Sequence, residues 1–319
     1  MIVVFGSNVL DLFFEQENLP PKDQALFLDS HIEAPGGKGA NQAIAAARAG
    51  SNVRFYGALG EGGHGRQMYK NLAQNGIDVS GIEFLDMPSG LATIFVDDND
   101  GTHRIVVSQG ANLKAKQDTI PDKHLKKETV VLVQGELPIL ETEDLIARAK
   151  AKGAKTVMNF APAKQALSEQ YLLNLDIIIL NTHEADLLAK NIGMDASDKE
   201  QFASDLYDRF NLITIVTLGP GGCLMSSEKG IYRVPSLRIK PIDTVGAGDA
   251  HAGYFCAALD QGHDMETALK WASIAGSLAC TSIGAQAALP VKEDVISKQD
   301  EIQITMRPRN SASSASNVA

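Results

Sequence analysis

The chain has 319 residues, of which 44% are hydrophobic, 21% charged and 6% aromatic, a globular composition that excludes a disordered or fibrous protein. Lys and Arg number 29 against 39 Asp and Glu, leaving a net charge of -10, and a surface of that sign repels nucleic acid phosphates and anionic lipid, so neither is expected as a partner. Cys223, Cys256 and Cys280 are an odd count without paired spacing, which argues against a disulfide framework or a zinc cluster and fits a reduced, cytoplasmic setting.

Met1-Ile-Val-Val-Phe5 has no basic flank and breaks at once into Gly6-Ser7-Asn8. It reads as a first strand rather than a signal peptide. Further strands are predicted at Val53–Tyr56, Thr129–Val133, Thr156–Asn159, Ile177–Leu180 and Ile213–Thr217. Most are continuous apolar runs, as parallel strands covered on both faces require. Helices are predicted between them at Ala40–Ala49, Gln67–Asn75, Glu141–Lys152 and Lys199–Arg209, with a small-residue helix at about Ala250–Leu259. This alternation predicts a doubly wound, mostly parallel α/β sheet. Residues 12–35 and 91–108 break the rhythm and read as strands without helices. Asp98-Asn99-Asp100-Gly101 is a hairpin turn signal inside the second. Together they predict a small β appendage. One domain over 1–305 is expected, with a polar, low-complexity and disordered tail over 306–319. No apolar run approaches the roughly 18 residues of a membrane helix.

The strongest chemical signal is Asp243-Thr244-Val245-Gly246-Ala247-Gly248-Asp249-Ala250. Gly246, Ala247 and Gly248 open a helix with backbone N–H groups unobstructed, and the helix dipole adds partial positive charge there. Asp249, just inside this anion hole, is placed for general-base work on an attacking hydroxyl. A plain glycine-rich turn with a helix-start carboxylate accounts less well for two acids at fixed separation. Pro35-Gly36-Gly37-Lys38-Gly39-Ala40-Asn41-Gln42 is the second signal. Its glycines allow close backbone approach, and Lys38 and Asn41 offer groups suited to hydroxyls. It lacks Walker A spacing.

Weaker signals follow. Gly60-Glu61-Gly62-Gly63-His64-Gly65 matches the dinucleotide fingerprint in form, although Glu61 beside a pyrophosphate favours a simple glycine turn. Asn181 and Glu184 follow a buried strand, and they read equally as a Mg²⁺-bearing pair or as a helix cap. Thr217-Leu218-Gly219-Pro220-Gly221-Gly222 could cradle a phosphate or a base edge, or simply turn. Asp11 and Glu136 are carboxylates at strand ends. The histidines show no metal-ligand spacing.

Taken in order, these segments resemble the ribokinase-like carbohydrate kinase family from about Ile2 to Pro290. Gly36–Gln42 and Asp243–Asp249 carry the resemblance most specifically. Gly110-Ala111-Asn112, Asn181-x-x-Glu184, Thr217-Leu218-Gly219 and Gly284-Ala285-Gln286 support it. The resemblance implies a three-layer αβα core with a small β-sheet lid through which dimeric members clasp. It implies transfer of the ATP γ-phosphoryl group to a sugar hydroxyl, with D-ribose the first candidate. Asp249 is then the base, and Gly246, Ala247 and Gly248 the anion hole. Asp11, Gly37, Lys38, Asn41, Glu136 and Asp249 match sugar positions. Asn181, Thr217, Gly219, Gly221, Gly222, Gly248 and Ser273 match nucleotide positions. Glu184 matches a Mg²⁺ position, and Asp243, Val245, Ala279, Ser282, Gly284 and Ala288 match positions around an activating K⁺.

Four departures stand out. Val9 occupies the usual Asn position of the first loop, unless Asn8 substitutes through a shifted loop. His251-Ala252 replaces the usual Phe-Asn, Ser273 a His near the adenine, and Ala288 a Ser near the K⁺ loop. Val9 points toward another pentose or a nucleoside such as pseudouridine or adenosine. A nicotinamide-dependent oxidoreductase using Gly60–Gly65 is the alternative from another class, and it leaves Asp243–Asp249 unexplained.

Overall fold

The computed structural model describes residues 1–16, 23–97 and 103–309. The turn expected at Asp98–Gly101 lies outside them, as does the polar run from Asn310. The strands are β1 (Ile2–Phe5), β2 (Val9–Gln16), β3 (Ile32–Gly36), β4 (Val53–Gly60), β5 (Asp78–Leu85), β6 (Gly90–Asp97), β7 (His103–Ser108), β8 (Val130–Gln134), β9 (Lys155–Asn159), β10 (Ile177–Asn181), β11 (Ile213–Thr217), β12 (Cys223–Ser227), β13 (Gly230–Val234) and β14 (Thr305–Pro308). The helices are α1 (Lys38–Arg48), α2 (Gly63–Gln74), α3 (Ile139–Ala151), α4 (Glu169–Asn174), α5 (Thr182–Ile192), α6 (Lys199–Phe210), α7 (Ala247–Asp260), α8 (Met265–Ala279) and α9 (Lys292–Ser297).

Ten strands form the main sheet in the order β14-β13-β12-β11-β10-β9-β8-β1-β4-β5. The pairs from β5 to β11 are parallel, and the last three are antiparallel. Each central strand feeds two cores, because successive side chains point to opposite faces. Ile2 and Val4 of β1 join one core, with Val130 and Leu132 of β8 and the helices α1, α7 and α8. Val3 and Phe5 join the other, with Val131 and Val133 and the helices α3, α4, α5 and α6. That is the αβα layering, and it explains the unbroken apolar runs.

Residues 12–35 and 91–108 contribute a separate four-stranded sheet, β3-β2-β6-β7, whose first strand starts earlier than predicted, at Val9. The boundary placed at residue 305 needs correction. Met306, Arg307 and Pro308, expected in the tail, lie in β14, which pairs antiparallel with β13. Among the described residues no helix is long and apolar enough to cross a membrane.

Helix contact fixes the centre of the molecule. A Cβ placed on Gly253 of α7 would stand 2.5 Å from the Ala45 Cβ and 2.6 Å from the Gln42 carbonyl oxygen of α1. Only a missing side chain lets the two backbones meet this closely. The first turns of α1 and α7, where both glycine motifs lie, are held together as a result.

Candidate active site

The order of connection reverses across the sheet between β1 and β8, since β4 lies on one side of β1 and β8, parallel to it, on the other. Such a switch point leaves a crevice at the strands' carboxyl ends. Ser7, just past β1, donates to Glu136, just past β8. The same carboxylate accepts the Lys38 backbone N–H at 2.9 Å. The crevice widens into a cavity of about 610 Å³. The core provides Lys38, Asn41, Glu136, Glu184 and Asp249 to its wall, and the small sheet provides Val9, Asp11, Ile94 and Ile105.

Asp249 is buried in the first turn of α7. Its Oδ2 accepts Asn41 Nδ2 at 2.9 Å and its Oδ1 accepts Gln42 Nε2 at 2.8 Å. Gly246 caps α7 with φ 81°, a left-handed backbone that favours glycine. The nearby Asp249 carboxylate raises the Lys38 ammonium above its ordinary range, against the opposing effect of burial. Burial, reinforced by Glu136, pushes Asp11 up to about 7. Asn181 and Glu184 form a reciprocal capping box on α5, with both bonds at 2.8 Å. Both also line the cavity, so the cap and the site are one feature. Burial raises Glu184 above the usual carboxylate range, while the Asn181 N–H and Lys38 oppose it.

A second cavity, of about 490 Å³, runs between α7 and α8 under the segment 236–241. Thr217, Thr244 and Gly248 belong to both cavities. Gly219, Gly222, Ala247 and Ser273 line the second, and Gly221 does not. His251 also lines it, buried with neither ring nitrogen bonded, and burial holds it down at about 4. Asp243 ties two loops together by accepting Val245 N–H at 3.0 Å and Gly284 N–H at 2.9 Å. Val245 and Gly284 face the first cavity, whereas Asp243, Ala279, Ser282 and Ala288 line neither.

The first loop does not shift. Val9 lines the cavity, while Asn8 is buried beside Asn112, its side-chain atoms without a partner. The nicotinamide reading of Gly60–Gly65 also fails. A Cβ on Gly65 would stand 1.9 Å from the Gly60 carbonyl oxygen, and one on Gly60 would stand 2.1 Å from that of Met87. These glycines make room for the chain itself.

Sequence reasoning gave no role to Gln134, Asn159, Asn71 or the Gln286 side chain. All four belong to an amide network behind Asp249. The available signal was the polarity of Gln134 and Asn159 at the ends of apolar strands. Their partners lie far apart in the chain and cannot be read from order.

A family model described as pfkB family carbohydrate kinase matches residues 1–292. A ribokinase of Bacillus subtilis (strain 168) is 31% identical over 301 residues, covering 92% of this chain and 97% of its own. A deoxyribokinase of Salmonella typhimurium is 31% identical over 293 residues, covering 91% and 95%. The solved structure of Arabidopsis thaliana ribokinase complexed with ribose and ATP superposes with a TM-score of 0.85 at 26% identity, covering 93% and 98%. A match this complete, on a fold whose two cavities meet at Gly248, makes the chain a member of the pfkB family, an ATP-dependent carbohydrate kinase of ribokinase type.

Proposed function

We propose that the chain transfers the ATP γ-phosphoryl group to a hydroxyl of D-ribose, giving ribose 5-phosphate, with Asp249 as general base. The observation that carries this reading is the position of Asp249 where the two cavities join, beside the open backbone of Gly248. The cavity with Asp11, Gly37, Lys38, Asn41 and Glu136 has the carboxylates and amides that polyhydroxyl ligands need. The cavity between α7 and α8 takes the nucleotide, with Thr217, Gly219, Gly222 and Ser273 around it, Gly221 holding the turn, and Asn181 facing the phosphates from the first cavity.

Asp249 takes the proton from the acceptor hydroxyl as the new bond to the γ-phosphorus forms and the bond from that phosphorus to the bridging oxygen breaks, releasing ADP. Backbone N–H groups of Gly246 and Gly248 stabilise charge on the transferring group, while that of Ala247 donates to the Thr244 carbonyl at 3.3 Å. Lys38 balances the acidic cluster. Members of this family use ATP with Mg²⁺. Glu184 fits that ion, since its Oε2 accepts the Asn181 N–H and its Oε1 accepts no hydrogen bond among the described residues. When bound, the ion neutralises phosphate charge. The loops tied by Asp243 suit an activating K⁺ held mostly by carbonyls near Val245, Ala279, Ser282, Gly284 and Ala288. Homodimerisation through the small sheet is supported by the exposed Ile32, Ile105 and Val106. A cytoplasmic setting suits the three unpaired cysteines.

A second reading, a pentose lacking one hydroxyl or a nucleoside, is favoured by Val9, an apolar side chain in the sugar cavity. MgATP consumption over a panel of pentoses, deoxypentoses and nucleosides, in K⁺ and in Na⁺ buffer, separates the two. Turnover on ribose, faster in K⁺, is expected. Preference for a deoxysugar moves the specificity, and an equal rate in Na⁺ removes the cation site.

A further inference from the structure

Two chains of amides converge on Asp249. In one, Asn71 Nδ2 donates to Gln286 Oε1 at 2.7 Å, Gln286 Nε2 to Asn41 Oδ1 at 2.9 Å, and Asn41 Nδ2 to Asp249 Oδ2 at 2.9 Å. In the other, Gln134 Nε2 donates to Gln42 Oε1 at 2.9 Å, and Gln42 Nε2 donates to Asp249 Oδ1 at 2.8 Å. Gln42 Nε2 also donates to Asn159 Oδ1 at 2.9 Å. Asn41 and Gln42 therefore present N–H to the carboxylate, and the donors they accept from, Gln286 and Gln134, fix their orientation, while Asn159 accepts from Gln42. Aligned chains of this kind polarise one another.

The two residues that touch Asp249 differ. Asn41 lines the sugar cavity. Gln42 is fully buried, lines neither cavity and is closed off from any substrate. We propose that Gln42 is a positioning residue, which fixes the plane of the Asp249 carboxylate and leaves one oxygen lone pair directed at the acceptor hydroxyl. The proposal rests on the reading of Asp249 as the base. Rotation of that carboxylate, with nothing else moved, misdirects the acceptor lone pair and costs rate rather than binding.

The test compares Gln42→Met, which keeps size but donates nothing, with Gln42→Glu, which puts a second carboxyl within hydrogen-bond reach of Asp249. Both should lower kcat by about 100-fold, the scale of general-base contributions, with KM for sugar and ATP little changed. In Asp249→Asn, the further loss from Gln42→Met should vanish, because there is no base left to orient. Gln42→Glu should also move the acid limb of the kcat profile to higher pH, since adjacent carboxyls share a proton. Lys38 and Glu184 also face Asp249, with Glu136 and Asp11 in the same cavity. All are unaltered in these variants. Should neither Gln42 variant fold, Gln134→Met removes the donor that orients Gln42 and should show a smaller loss with the same split. Near-normal kcat in the Gln42 variants, or an equal loss in the Asp249→Asn background, overturns the proposal. Full turnover of Asp249→Asn alone overturns the base assignment and the proposal with it. Loss of turnover in Asp249→Asn with normal Gln42 variants overturns only the proposal.

Discussion

Gly246–Gly248 and Gly60–Gly65 are both glycine-rich entries into a helix, and only the first lines the two joined cavities. Around Gly248 a Cβ would meet nothing within 4 Å, and this opening belongs to both cavities of the active site. Gly60 and Gly65 are filled by backbone. Gly62 and Gly63 face a separate depression whose charged residues include Glu61 and Asp86, the wrong sign for a phosphate. Lys38 stands with Gly248 instead. Glycine spacing alone does not separate an anion hole from a tight turn. A cation in the lining does: Lys38 faces the cavity at Gly248, whereas among the described residues no lysine or arginine lines the depression at Gly62 and Gly63.

The sharpest way to break this contrast is Asp249→Asn. Turnover should fall by about 10²–10⁴-fold, with nucleotide binding by calorimetry nearly intact. Near-normal turnover would reduce the first entry to the rank of the second. Next come matched alanines. Gly246→Ala forces a left-handed backbone onto a side chain and brings its Cβ to 2.9 Å from the Ala285 carbonyl oxygen. The strain is about 1–2 kcal/mol, and kcat should drop. Gly65→Ala should instead lower the thermal midpoint, with turnover per folded molecule unchanged. A reversed pattern would exchange the two roles.

Asp11→Asn gives a smaller effect. Asp11 has its folded value raised to about 7 from 3.8, so its contribution to stability is lost as pH rises through that window. The variant should bind sugar more weakly, yet the ligand-free form should melt higher than the parent at pH 8 and not at pH 4. The smallest change is His251→Phe. Its folded value is lowered from 6.5 to about 4, so stability falls as pH drops from 6.5 toward 4, by up to about 1.4 kcal/mol per pH unit. Phenylalanine should flatten that slope in thermal melts across the window. An unchanged slope would place the acid sensitivity elsewhere.

Much of this was legible in the sequence. β1, β8, β10 and β11 were visible because strands buried on both faces need unbroken apolar runs. The glycine motifs gave Lys38, Asn41, Gly248 and Asp249. The antiparallel wing β12-β13-β14 was not predicted, and β14 was taken for tail, because four exposed residues gain strand structure only from pairing with β13. The Asp249 network was hidden for a similar reason. Gln42 and Gln134 are 92 positions apart, and Asn41 and Gln286 are 245 apart. The bonds from Asn41 and Gln42 to Asp249 depend in turn on the contact of α1 with α7 at Gly253, which is a property of packing.

One feature of the small sheet reaches further. Val9 and Asp11 sit on β2, whereas Lys38, Glu184 and Asp249 belong to the main sheet and its helices. On the proposed reading, acceptor contacts are divided between the small sheet, through Asp11, and the core, through Lys38, Asn41 and Glu136, while the base belongs to the core alone. Exchanging β2, β3, β6 and β7 for those of a relative with another preference should then shift substrate choice and leave the phosphoryl-transfer apparatus in place.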